Sequence, residues 1–454
     1  MNRVRSALVV LIVFLLASIS FAEEYASENS TERTTDTAPA SGSPAEEYKF
    51  ETSEIEKKPY HVGGYLEFRS DLFVLDKDAA LYKLKFFNRK EGDTIEGYIG
   101  RLWLEGSYEK GIVGVFLKTS LALGYSYQGW DHATRIYEGY LSLKPSSSLT
   151  IDLGKRTFLW GKGYAWNPVA FVDRPKDPDD PELPREGSIA ATADYIKSFN
   201  GPLKTFSVTP VIFPVYHNVN DTFGEIDHLN VAGRVYFLLY DTDIDFLFLT
   251  GKSKTNRFGF DFSRNLTTNL EIHGEFAFIN DQKKNVVDSN GKVSESEFDA
   301  KSYLLGIRYL TSWDMTCILE YYHNGTGYSP SEMKDFFSFV DKGFDQFLST
   351  GNTKLLQKAG KLNRGNYGVI SPAKDYLYLR ISQKEPFNIL YFTPAITGIM
   401  NLDGSVSISP ELLYAGIKNW EFRLKGSAIV GPKGTEFGEK QNDYRVEFRI
   451  RYYF

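Results

Sequence analysis

The sequence predicts an all-β protein: a membrane-spanning, antiparallel, up-and-down β-barrel of about 18 strands, within a range of 16–18. Three observations carry this. The last twelve residues alternate strictly, with Tyr444, Val446, Phe448, Ile450, Tyr452 and Phe454 on one face and Arg445, Glu447, Arg449 and Arg451 on the other. Period-two alternation gives each set its own side of a strand. An apolar outside and an ionised inside suit a strand between lipid and a wet lumen. Aromatic residues also make up 15% of the 454, with 29 Tyr and 34 Phe, yet mean hydropathy is negative at -0.31. Aromatic girdles around a polar interior give that combination; a helical membrane protein does not. Finally, no stretch beyond the N-terminal run is long and uncharged enough to cross a bilayer as a helix, which takes about 20 residues.

Taken in order, Arg3 and Arg5 precede an apolar run from Ala7 to Ile19, followed by Ser20-Phe21-Ala22. This predicts a signal peptide over 1–22, and no cysteine follows it to make a lipoprotein. Residues 23–58 hold ten acidic and four basic side chains among Ser, Thr and Pro. Such a segment buries too little apolar surface to order itself, so it reads as a flexible acidic periplasmic arm, too short and polar for a plug domain. Formal charge is -6. With the two leader arginines removed and the arm set aside, 59–454 is near neutral, which gives no case for a nucleic-acid partner. The single cysteine, Cys317, excludes a disulfide framework and a Cys-based metal site.

The barrel occupies 59–454. Alternation places strands near 61–74, 95–108, 112–124, 134–144, 149–160 and 189–199. Six more fall near 204–216, 228–239, 244–252, 256–264, 267–280 and 301–312, and the last six near 314–324, 374–384, 387–400, 404–414, 418–430 and 443–454. Tight turns such as Asn200-Gly201, Arg264-Asn265 and Lys418-Asn419 alternate with mostly longer connections. That asymmetry separates short periplasmic turns from long external loops.

Lumen-facing positions carry both signs: Arg69, Arg101, Arg156, Arg234, Arg308, Arg380, Arg423, Arg445 and Arg449 against Glu67, Glu105, Asp152, Glu271, Glu275, Glu320, Glu411, Glu421 and Glu447. The set reads equally as a ladder that passes a polar solute or as a salt-bridge network that satisfies the wall. Closure brings Arg445, Glu447 and Arg449 towards Glu67 and Arg69. Two inserted loops stand apart. Loop 160–187 holds five prolines, which limit the entropy lost in holding one conformation. Tyr164 and Trp166 are expected to anchor it on the inner wall, and Asp173, Asp177, Asp179, Asp180 and Glu182 to line a constriction. A calcium site over 173–182 is a lesser alternative. In loop 325–372, Met333, Phe336, Phe337, Val340, Phe344, Phe347 and Leu348 recur at helical spacing, with Ser331 as the expected cap.

No catalytic constellation is present. The six histidines are dispersed, Gly161-Lys162-Gly163 lacks the spacing of a phosphate loop, and no Gly-x-Ser-x-Gly elbow occurs. No enzyme activity, cofactor or resident metal is expected. The leader, the strand pattern, the place of the third long loop and the final Phe454 together resemble the Gram-negative outer-membrane porins, nearest the larger monomeric substrate-channel and alginate-export-like barrels. That resemblance implies an outer-membrane channel for passive diffusion of small hydrophilic solutes, a third loop folded into the pore, and Phe454 as part of the signal read by the barrel-insertion machinery. Lipid, that machinery and small polar solutes are the implied partners; the oligomeric state stays open, with a monomer favoured. A polysaccharide export or assembly barrel, an electron-carrier sheath, and a surface-binding barrel with a plugged lumen remain alternatives. Replacing Phe454 with Asp puts a charge at the lipid-facing end of the last strand. Assembled, heat-modifiable barrel should fall; a normal amount would remove the closing-strand role.

Overall fold

The computed structural model describes residues 58–454. The expected leader, 1–22, and all of the arm but Lys58 lie outside the described residues. Eighteen strands pair antiparallel in chain order. The first six are β1 (Tyr60–Leu75), β2 (Thr94–Lys110), β3 (Val113–Ser126), β4 (Gly129–Ser146), β5 (Leu149–Arg156) and β6 (Ser188–Ser198). Next come β7 (Leu203–Val215), β8 (His228–Leu239), β9 (Thr242–Thr250), β10 (Arg257–Thr267), β11 (Leu270–Val287) and β12 (Val293–Leu310). The last are β13 (Met315–His323), β14 (Asp375–Gln383), β15 (Phe392–Asn401), β16 (Ser405–Ile417), β17 (Trp420–Val430) and β18 (Asn442–Tyr453). β18 pairs back onto β1, so the sheet closes and has no free edge.

Each predicted strand has its counterpart. The bounds differ most at the β11–β12 hairpin, whose pairing continues to Val287↔Val293. From Asp281 to Asn285 both faces of β11 are polar, so the hydrophobic alternation breaks while the ladder goes on. β4 likewise begins five residues early, leaving only residues 127–128 as its link to β3. That end of the barrel therefore has two tight turns, 127–128 and 402–404, among its longer loops.

The alternation sorts side chains as the pattern demands. Leu121 and Leu123 on β3, Phe246 and Phe248 on β9, Leu305 and Ile307 on β12, and Val446 and Phe448 on β18 are exposed on the outside. Glu67, Asp71, Asp245, Asp261, Glu320 and Glu447 are buried on the inside. An apolar exterior wrapped over so many strands far exceeds the patches of a water-facing surface. Among the described residues no helix is long and apolar enough to cross a membrane.

Closure pairs Glu67 with Arg451, Arg69 with Arg449, Asp71 with Glu447 and Phe73 with Arg445. The expected approach to Glu67 and Arg69 is met by Arg449, opposite Arg69, whereas Glu447 and Arg445 lie further along the strand, opposite Asp71 and Phe73. Glu67 is held by Arg451 (2.8 Å) and Arg101 (3.2 Å), and Arg445 by Asp71 (2.8 Å).

Three helices sit at the long-loop end: α1 (Ala80–Phe86), α2 (Pro330–Thr350) and α3 (Lys354–Leu362). Only α2 matches an expected helix. Its cap is Ser329 rather than the expected Ser331: Ser329 Oγ accepts the Glu332 N–H (3.3 Å), and Glu332 accepts the Ser329 N–H (2.7 Å). Pro330 at the first helical position and Gly351 at φ +71° complete a reciprocal start and a left-handed stop. Met333, Phe336, Phe337 and Val340 are buried, with Phe344 and Phe347 packed beside them, whereas Leu348 points out. α1 is invisible to periodicity because seven residues offer too few turns to establish one.

The Glu67 cluster ties the first and last strands together. Glu67→Ala leaves Arg101 without its counter-charge and Arg451 with Glu421 alone (3.2 Å), and should lower unfolding free energy by about 3–5 kcal/mol, read by urea titration of the folded barrel. A loss under about 1 kcal/mol would show that closure does not lean on this carboxylate.

Candidate pore site: the loop inside the barrel

Between β5 and β6 the chain turns inward, and its first anchor is its own carboxylate. Asp173 accepts the N–H groups of Phe158 (2.9 Å) and Trp160 (3.0 Å). Burial raises the Asp173 carboxyl above its ordinary value, against these two donors. Next, Lys162 Nζ reaches Asp245 on β9 at 2.8 Å, with Asp261 on β10 at 3.8 Å.

Two wall carboxylates then gather the loop backbone. Glu275 on β11 accepts from the N–H of Lys162 (2.7 Å) and Gly163 (2.6 Å), from Val169 N–H (3.3 Å) and from the Asn167 amide (2.8 Å). Glu320 on β13 accepts from Tyr164 N–H and from Ala165 N–H (2.9 Å), with His273 Nε2 at 2.9 Å. Buried backbone donors cost free energy when unpaired, and here carboxylates satisfy five of them. A Cβ on Gly163 would lie 2.1 Å from the Trp166 carbonyl oxygen, and Gly161 has φ +95° beside Glu275. The Gly161-Lys162-Gly163 run is therefore the place where backbone wraps onto a wall carboxylate.

Packing fixes what the hydrogen bonds orient. Trp160, Val169, Phe171 and Val172 pack on Val211 and Phe213 of β7 and Leu247 and Leu249 of β9. Trp166 stacks on Tyr322, with Tyr376 tilted and Tyr378 edge-on against it, and its indole N–H donates to Ser371 Oγ (2.9 Å).

The loop tip meets the opposite wall. Asp180 N–H donates to the Asp177 carbonyl and Leu183 N–H to the Asp180 carbonyl (both 3.1 Å), giving two successive turns. They present Asp179 to Lys425 (2.8 Å) and Arg445 (3.6 Å), and Asp180 to Arg423 (2.6 Å) and Arg449 (3.1 Å). On that wall Arg380, Arg423, Lys425, Arg445 and Arg449 outnumber Glu411, Glu447 and Asp71. Burial alone would raise the Asp180 carboxyl, but Arg423, then Arg449 and Lys425, more than offset it and hold it below the usual carboxylate range. The tip divides two cavities. One of about 360 Å³ lies towards the long loops, beside Asp177, Asp179 and Arg445. The other, about 210 Å³, lies beside Tyr164, Asp180, Glu182 and Arg451 towards the short turns. A third, about 180 Å³ and lined by Arg101, Ser120, Ala122, Ala133 and Arg135 on β2–β4, is bordered by no loop residue.

Of the residues expected at a constriction, Asp179 and Asp180 form this latch. Asp177 borders the outer cavity, and exposed Glu182 accepts the Tyr164 hydroxyl at 3.0 Å. Asp173 and Trp166 lie elsewhere, as anchors. Among the described residues no three His, Cys, Asp or Glu side chains gather to hold a metal ion. The ladder is largely a paired network. Arg69 meets Asp71 (2.9 Å), Arg156 meets Asp152 and Asp194, and Arg234 lies 3.8 Å from Asp245. Arg380 and Arg423 share Glu411, and Arg445 and Arg449 share Glu447. Glu105 and Arg308 face Lys118 and Glu271 across neighbouring strands. Sequence reasoning passed over Lys162 and Lys425. Lys425 lies two residues from Arg423, so the alternation itself pointed to it.

No family model matches the chain, and no curated protein matches it. Among solved structures, it is similar to Pseudomonas aeruginosa OprD, with TM-score 0.47 and 11% identity over 88% of this chain and 97% of that one. It is similar to Acinetobacter baumannii OccAB3, with TM-score 0.48 and 12% identity over 87% and 99%. The third is a mutant Rhodopseudomonas blastica porin, with TM-score 0.42 and 11% identity over 87% and 100%. The barrel stands on its strand pairing, without these likenesses.

A carboxyl held low stabilises the latch above its ordinary pKa, about 3.9 for Asp, and that contribution is lost as pH falls through the depressed value. Acidification should therefore speed hydrogen exchange at 176–184, after correction for intrinsic rates, and Asp180→Asn should be unprotected at both pH values. Equal acid response in wild type and variant would take Asp180 out of the latch.

Proposed function

We propose that the protein is an outer-membrane channel through which small hydrophilic solutes diffuse, with the loop between β5 and β6 setting the constriction. The observation that carries this reading is the Asp179–Asp180 latch: a loop that spans a charged lumen and divides its space along the axis. Carboxylates and cations that face each other across a narrow, poorly screened gap act on a passing ion far more strongly than in bulk water. Passage runs past the tip and beside the inner face of β2–β4, where Arg101 and Arg135 border open space. The depth at which the loop is seated also favours a second reading, a plugged surface-binding barrel, and electrical measurement separates the two.

In planar bilayers, the purified protein should give discrete conductance steps. Asp179→Asn with Asp180→Asn leaves Arg423, Arg449 and Lys425 short of counter-charge, and should move the reversal potential towards anion selectivity. Removing 173–184 should raise single-channel conductance. Wild-type protein that passes no current would establish the plugged barrel instead, and two variants with wild-type conductance and selectivity would place the constriction elsewhere.

A further inference from the structure

At the long-loop end, on the side of the loop away from the latch, lies a cavity of about 340 Å³. Arg174, Lys176, Arg185, Lys254 and Arg257 all line it. Three of these are already engaged: Arg174 pairs with Glu186 (3.3 Å), Lys176 donates to the carbonyls of Gly163 and Tyr164, and Arg185 donates one guanidinium N–H to the Arg174 carbonyl (3.1 Å), which leaves its other donors to a ligand. The single lining carboxylate, Asp173, is taken by the N–H groups of Phe158 and Trp160, with only the field of Arg185 reaching it.

Lys254 and Arg257 have no such partner. Lys254 Nζ rests 3.7 Å from the centre of the Phe223 ring, and no carboxylate supports its charge. Burial, with Arg257 as a like-charged neighbour, brings the Lys254 ammonium down to about 7. Arg257 Nε is buried without a hydrogen-bond partner among the described residues. A cation left unpaired in a half-buried site lowers stability, so its retention there calls for a counter-charge from outside the chain. Two neighbouring unpaired cations, with the Arg185 guanidinium beside them, exceed what one carboxylate neutralises. A phosphate group carries about −1.5 to −2 at neutral pH and three acceptor oxygens, and guanidinium forks and ammonium groups suit it.

We infer that this cavity is a binding site for a solute bearing a doubly charged oxyanion, of the phosphate type, held by Lys254, Arg257 and Arg185. The cavity is bounded by the inserted loop and by Ile279, Ser302 and Tyr322 on the inner side of the wall, the side away from lipid. The inference deepens the channel reading by naming a class of solute, and rests on that reading for passage alone, not for binding.

Calorimetry on the full chain in detergent tests it, with inorganic phosphate, sulfate and acetate as probes. Phosphate and sulfate should bind at a single site and acetate at least tenfold more weakly. Lys254→Met and Arg257→Gln should each weaken phosphate binding at least tenfold, while Lys254→Met melts no lower than wild type, because an unpaired charge has gone. Acetate binding as tight as phosphate, wild-type affinity in both variants, or no binding of phosphate to the wild type would each overturn the site. A protein that conducts yet binds no phosphate would sink this inference and leave the channel standing; one that binds phosphate yet passes no current would do the reverse.

Discussion

An edge strand presents a row of unpaired N–H and C=O groups, and in hydrocarbon no water is there to take them. The pairing of β1 with β18 removes that row, and most of the remaining architecture is a consequence of it. Closure with eighteen strands makes a bore too wide for the wall's own side chains to fill. Inward positions then cannot be packed as an ordinary apolar core. They must be wet, paired with one another, or covered by something that enters, and all three solutions are present in different sectors of the wall.

The inserted loop is held by opposite chemistry at its two ends. Towards β11 and β13, wall carboxylates accept from loop backbone. Towards β17 and β18, wall cations bind loop carboxylates. Such a division fixes the direction of the loop as well as its depth, since an inverted placement would set Asp179 and Asp180 against Glu275 and Glu320. The first end is also reinforced by apolar packing, whereas the tip rests on ion pairs beside solvent-filled space. By that measure the tip is the part that can move, and the root is the part that cannot.

Much of the barrel is legible in the sequence because its rules are local. Strand positions come from period-two alternation, and loop 160–187 is marked by its prolines and its place in the chain. The hidden features depend on distant partners. Glu275 and Glu320 look in sequence like any lumen carboxylates; that they bind backbone of the loop becomes visible only when β11, β13 and residues 162–169 are brought together. At closure Arg449 meets Arg69 as expected, but Arg445 and Glu447 do not reach Glu67 or Arg69, because alternation specifies which face a residue takes and leaves open how far the two strands slide. Asp173 and Asp180 differ by seven positions and share a residue type, yet one stabilises a turn and the other spans the bore. Composition carries no information on that difference.

The helical cluster at the long-loop end draws on separate parts of the chain. Ala80 of α1, Val287 at the end of β11, Met333 and Phe336 of α2 and Leu356 of α3 share one apolar core. The first N–H of α1 is met by Glu439, 359 residues away and just before β18. α2, α3 and the end of β11 are near one another in sequence, but α1 is capped by Glu439 only when the first and last strands are neighbours. The docking of α1 is therefore a late event in folding: contacts so remote in sequence are slow to form, and this one has to wait until the cylinder is shut.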